Sequence, residues 1–197
     1  MIYPTSFSPI AQGAEAQNQV PSAQLRSVLF AQMTLNNLSD TLLQHAPDVR
    51  GMCKMVLKYN GGQTEATAYL DEKRGQVFIH ATKTSAPGFK PYWSGPLPLS
   101  LSPKQRQHLS AAFQLRLGEV NLSETMLKDA PTGYKKMVPV ALPKTGSGTK
   151  QIAYYDAENA RFYMRVHPGD ENPAKPYWSG PVSISVPSIP KESPQQV

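Results

Sequence analysis

A chain of 197 residues, 40% hydrophobic and 17% charged, is long enough for one domain or two small ones and too apolar to remain unfolded. One cysteine, Cys53, excludes an intramolecular disulfide and with it a disulfide-stapled extracellular scaffold. A formal net charge of +6 favours anionic partners, yet no run of Lys or Arg exceeds two residues, which is equally the pattern of a merely soluble basic surface.

The first element is a polar arm. Residues 1–21, from Met1-Ile2-Tyr3-Pro4 to Asn18-Gln19-Val20-Pro21, are rich in Ser, Gln, Pro and Ala and carry one charge, Glu15. Such a segment buries too little apolar surface to offset its ordering entropy and reads as flexible. No Lys or Arg precedes Arg26 and no continuous apolar core is present, so a cleaved secretory signal is not expected. In composition the arm resembles the unstructured export segments of bacterial type III secreted effectors. The resemblance implies a protein that is cytoplasmic, or is secreted by a route without a cleaved signal peptide, and that acts on a host protein.

The remainder is written twice. Asn37-Leu38-Ser39-Asp40-Thr41-Leu42-Leu43 is echoed by Asn121-Leu122-Ser123-Glu124-Thr125-Met126-Leu127 at an offset of 84, and Ala46-Pro47 by Ala130-Pro131. Lys90-Pro91-Tyr92-Trp93-Ser94-Gly95-Pro96 returns unchanged as Lys175-Pro176-Tyr177-Trp178-Ser179-Gly180-Pro181 at an offset of 85. One module with a single net insertion therefore occupies residues 22–102 and again 103–187, and residues 188–197 read as a loose tail.

Each module opens with a helical period. Leu25, Val28, Leu29, Met33 and Leu38 form one apolar stripe after a Ser22 cap. Leu109, Ala112, Phe113, Leu117 and Val120 form the other after Ser102-Pro103. The period then changes to two. Met52–Tyr59 alternates as a half-buried strand, whereas its counterpart Met137–Leu142 contains Pro139, which cannot donate to a ladder and belongs at a sheet edge. Cys53 falls on the apolar side of its strand and reads as a buried small hydrophobe. Two hairpins follow, opened by Asp71 and Asp156, whose carboxylates suit nearby backbone N–H groups better than acid/base chemistry. On the third strand one face carries Val77, Ile79 and Ala81, or Phe162, Met164 and Val166. The other carries Phe78 with His80, or Tyr163 with Arg165. A final strand alternates Leu97, Leu99 and Leu101, or Val182, Ile184 and Val186.

These elements predict an α+β fold: a tandem duplication of a helix plus a four-stranded antiparallel sheet, the modules related by a pseudo-two-fold axis. Two surfaces are candidate binding sites. Lys90, Tyr92, Trp93, Lys175, Tyr177 and Trp178 form aromatic ledges if the heptapeptides are loops, and Phe78, His80, Tyr163 and Arg165 form an aromatic and basic sheet face. Against the ledges stands a purely structural account, in which Pro91, Gly95 and Pro96 shape the backbone and Trp93 pins it. No catalytic residue emerges. Ser94 and Ser179 lack a nucleophile elbow, Cys53 and His80 are the one pair resembling a Cys/His arrangement, and Gly61-Gly62 and Gly146-Ser147-Gly148 lack the rest of a phosphate loop. The four histidines lack metal-ligand spacing, and no cofactor or metal is expected. The function implied is a non-enzymatic interaction protein with a protein partner. The alternative is a single-stranded nucleic-acid binder using sheet aromatics and their basic neighbours.

Overall fold

The computed structural model describes residues 24–59, 63–169 and 174–191. The predicted arm, the Ser22 cap, Gly61-Gly62 and the end of the tail lie outside the described residues. The first unit runs α1 (Leu25–Leu35), a 3-10 turn (Leu38–Thr41), β1 (Leu42–Leu43), β2 (Cys53–Tyr59), β3 (Thr64–Asp71), β4 (Gln76–Lys83) and β5 (Tyr92–Pro98). The second runs α2 (Pro103–Leu117), a 3-10 turn (Leu122–Thr125), β6 (Met126–Leu127), a 3-10 turn (Tyr134–Lys136), β7 (Val138–Ala141), β8 (Lys150–Asp156), β9 (Arg161–His167) and β10 (Tyr177–Ser183). The fold is α+β. Each unit forms an antiparallel sheet, in the orders β1-β5-β4-β3-β2 and β6-β10-β9-β8-β7.

The sheets have five strands, not four. The additional strand is the two-residue pair β1 or β6 on the outer side of β5 or β10. Two residues are too few to show a period, so the sequence gives no sign of a strand there. A second correction concerns the repeated heptapeptide, which is the last full strand of each sheet and not a loop leading to it. β5 carries one extra residue between Ser94 and Leu97 relative to β4, and β10 does the same between Ser179 and Val182. These bulges hold Gly95 at φ +131° and Gly180 at φ +127°, each followed by a cis peptide to proline.

Among the described residues, two edge strands behave as their residues require. β7 pairs only with β8, as Pro139 demands. β2 pairs only with β3, and Cys53, at its exposed start, is not the buried hydrophobe the pattern predicts. Register also locates the insertion. Cys53 faces Leu70 and Val138 faces Tyr155, so Val138 is the counterpart of Cys53, at an offset of 85. The extra residue therefore falls between Pro47/Pro131 and these strands. There the first unit makes a turn in which Asp48 holds Arg50, and the second makes the 3-10 turn Tyr134–Lys136.

The helices differ in how they start and how deeply they sit. α2 begins with a complete capping box: the Ser102 hydroxyl accepts from Gln105 N–H, the Gln105 side chain accepts from Ser102 N–H, and Pro103 occupies the first turn. α1 has Gln24 at its cap position without a side-chain bond, yet Val28, Leu29, Phe30, Ala31 and Gln32 are all buried. Five consecutive buried positions mean a helix covered on nearly every side rather than along one stripe. One apolar cluster accounts for this, joining α1, α2 and the inner faces of both sheets, with Leu57, Ile79, Phe113, Tyr155 and Phe162 among its members. Polar contacts cross the same region. Gln105 Nε2 donates to Gln32 Oε1 at 2.7 Å, Gln32 Nε2 donates to Ser100 O at 2.9 Å, and Arg26 grips Glu158 in the β8–β9 turn at 2.6 and 2.9 Å. The chain returns to α1 beyond β10, where Ser188 Oγ donates to Thr34 O and Ile189 N–H to Leu35 O.

Candidate functional site

The two sequence echoes touch each other. Ser94, fully buried, donates its hydroxyl to Leu38 O at 2.8 Å and shares a 2.6 Å hydrogen bond with Thr41. Ser179 does the same with Leu122 O and Thr125, both at 2.7 Å. Asn37 and Asn121 accept from the N–H and hydroxyl of Ser39 and Ser123, which folds the 3-10 turns that present those carbonyls. Two of the most recognisable repeated serines are thus buried fasteners between a turn and a strand, not nucleophiles.

Phe78 and Tyr163 also have a structural task. A Cβ on Gly95 would lie 2.9 Å from Val77 O and 3.2 Å from the Phe78 ring, and one on Gly180 would lie 3.0 Å from the Tyr163 ring. The aromatic side chain closes over the bulge because glycine leaves the space. Tyr163 is correspondingly buried, with the Arg161 guanidinium 5.7 Å from its ring centre.

Strand alternation separates the predicted ledges. Tyr92 pairs with Ala81 and Tyr177 with Val166, on the parity of the inner faces, whereas Trp93 pairs with His80 and Trp178 with Arg165, on the outer faces. Tyr177 packs on the core, and burial raises the Tyr92 phenol above its ordinary pKa. Lys90 and Lys175 stand exposed two residues ahead of the strands. The ledge of neighbouring Tyr and Trp therefore does not form.

What forms instead is one ring cluster per outer face, centred on a half-buried tryptophan. In the first unit the His80 ring stacks on Trp93 with centres 4.3 Å apart and planes within 2°, and Tyr69 reaches the same tryptophan at 5.2 Å from β3, on the far side of β4. In the second, Trp178 meets Tyr154 at 5.0 Å and Tyr134 at 4.9 Å, and the Arg165 guanidinium sits 5.5 Å from its ring centre. Phe78, His80, Tyr163 and Arg165 do share these faces, as the alternation of the third strand predicts. Tyr134 was not legible as a member. It reaches the cluster from the inserted 3-10 turn, positioned by Gly133 at φ +76°, and the local signal was the offset change from 84 to 85.

Charge on the second outer face is one-sided. Lys150, Arg161 and Arg165 point the same way as Tyr154, and the one carboxylate on strand positions of that parity, Asp156, is engaged by Arg161 at 3.0 Å and Asn159 at 2.8 Å. Cys53 and His80 fall on opposite parities of their sheet, so that pair does not meet. Elsewhere a groove of about 780 Å³ runs beside α2, with Leu115, Ile184 and Pro187 along it and His108 and Arg116 at its rim. No helix among the described residues is long and apolar enough to cross a membrane.

No protein-family model matches the chain, and no curated protein or solved structure is detectably similar to it.

Proposed function

We propose that this is a non-enzymatic interaction protein, two copies of one module related by a pseudo-two-fold axis, that binds a protein partner through its outer sheet faces. The observation that carries the reading is the half-buried tryptophan at the centre of each outer face, ringed by His80 and Tyr69 or by Arg165, Tyr154 and Tyr134. Rigid aromatic anchors beside a cation are the residue types that dominate binding energy at protein interfaces. The composition of residues 1–21 adds the setting, a bacterial effector exported without a cleaved signal and acting on a host protein.

A single-stranded nucleic-acid binder is the alternative, favoured by the basic character of the second face. Base stacking needs free ring faces, however, and both tryptophans already have ring, phenol or guanidinium neighbours against them. The test is capture of host-cell proteins by the wild type, Trp93→Ala and Trp178→Ala, with urea unfolding of each. Loss of a specific partner from a variant that still unfolds cooperatively is the expected result. Undiminished capture by both variants would remove the outer faces from the interaction. Binding of short oligonucleotides that weakens steeply with salt would replace the reading with its alternative.

A further inference from the structure

Of the two arginines on the second outer face, Arg165 is the one whose charge no carboxylate among the described residues answers. Arg161 has Asp156, and Arg26 on the helix has Glu158. Arg165 makes no hydrogen bond or ion pair among the described residues, and its Nε is the one buried side-chain donor among them without an acceptor. Its position is nevertheless well held. It lies on the third strand between Ile152 and Trp178, with its guanidinium against the Trp178 ring, and Tyr154 and Tyr134 wall the other sides of that ring. Stacking of this kind leaves the planar fork of an arginine oriented and still able to donate. The buried Nε lies out of reach of solvent, so the donors that can meet an incoming planar anion are the Nη amino groups of this half-buried side chain, which have no acceptor among the described residues.

We infer that Arg165, framed by Trp178, Tyr154 and Tyr134, is the docking point for a side-chain carboxylate of an acidic, extended protein segment laid across the outer face of the β7–β10 sheet. The inference rests on the protein-partner reading above and specifies the partner's chemistry. Charge complementarity argues for an acidic segment, because Arg161 and Asp156 cancel as a pair and Lys150 leaves the face positive beside Arg165. The crowded tryptophan ring argues for a peptide carboxylate over a stacked base. In the first unit the equivalent position is His80, stacked on Trp93. The two faces therefore differ where recognition would occur, and the acidic segment is assigned to the second.

The experiment uses the full chain with Trp93→Phe, so that Trp178 is the sole tryptophan reporter. The probe is a synthetic peptide alternating Glu with Thr, set against its Gln/Thr twin and a short oligothymidylate at one fixed salt concentration. A saturable change in Trp178 fluorescence with the Glu peptide is expected, with the Gln peptide inert. Arg165→Gln is expected to weaken binding by about tenfold or more, and Arg165→Lys by less, because the charge remains while the fork is lost. Both variants should still unfold cooperatively, with Arg165→Gln less stable than Arg165→Lys because it loses the cation packed on Trp178. Absence of a saturable change with the Glu peptide, or equal affinity with the Gln peptide, overturns the inference. Undiminished binding by Arg165→Gln overturns the role of Arg165 and leaves the protein-partner reading intact. Tighter binding of the oligothymidylate than of the Glu peptide overturns both.

Discussion

The repeated motif resolves, residue by residue, into fasteners and one half-buried ring on the outer face. Ser94 joins strand to turn, Gly95 makes room for the bulge, Tyr92 faces inward, and Trp93 lies on the outer face with neighbours that differ between copies. Identity of a heptapeptide is therefore mostly identity of a structural joint. Gly95→Ala is expected to cost about 3 kcal/mol, combining a strained positive φ with a Cβ against backbone. Gly75 has φ +63° but open space around its Cβ position, so Gly75→Ala should cost only about 1 kcal/mol. Urea midpoints of the two variants provide the comparison. Equal losses would mean that backbone conformation, not the Phe78 contact, demands glycine at position 95.

At the scale of elements, the junction between helices carries a polar link in an otherwise apolar core. Gln105 closes the capping box of α2 and also donates to Gln32 on α1, whose own side chain accepts from Asn36 and donates to Ser100 O. Replacing either glutamine by leucine leaves buried partners unsatisfied, at about 2 kcal/mol or more. The double variant Gln32→Leu/Gln105→Leu should be less destabilised than the two single losses added together, by about 1–2 kcal/mol, in a denaturation cycle. Simple additivity would show that the amides do not act as a pair. The cap at Ser102 and the turn starts at Asp71 and Asp156 were legible beforehand, because each depends on a side chain bonding within a few residues of itself. The pairing of Gln32 with Gln105, far apart in the chain, has no such local sign.

For the molecule as a whole, Tyr155 reports the unity of the core. Its ring packs on Phe113 of α2, its phenol lies near Thr34 of α1, and it belongs to an interior strand of the second sheet. Burial pushes that phenol up to about 12, with Thr34 acting against the shift and the nearby Asp156 charge adding to it. The neutral form is thus favoured in the folded state. An unfolded tyrosine ionises near pH 10, so between about 10 and 12 the unfolded chain loses its proton first and stability falls as pH rises. The stability lost over that window is about 2–3 kcal/mol at most, and none of it is lost at neutral pH. Tyr155→Phe should flatten the alkaline arm of a stability-versus-pH curve while costing little at pH 7, and an unchanged arm would show that other groups govern it.

Duplication, the place of the helices, antiparallel hairpins and the alternation that puts Phe78 with His80 and Tyr163 with Arg165 on one face all follow from the sequence alone, because period and local turn chemistry are properties of short stretches. Only the tertiary structure decided that β1 and β6 extend the sheets, that Tyr92 and Trp93 part company, that Cys53 lies exposed at an edge, and that Tyr134 joins Trp178. Each of these depends on which strand lies beside which and in what register. A bulge of one residue reverses the facing of everything beyond it, and an inserted turn brings together rings that are far apart in the chain.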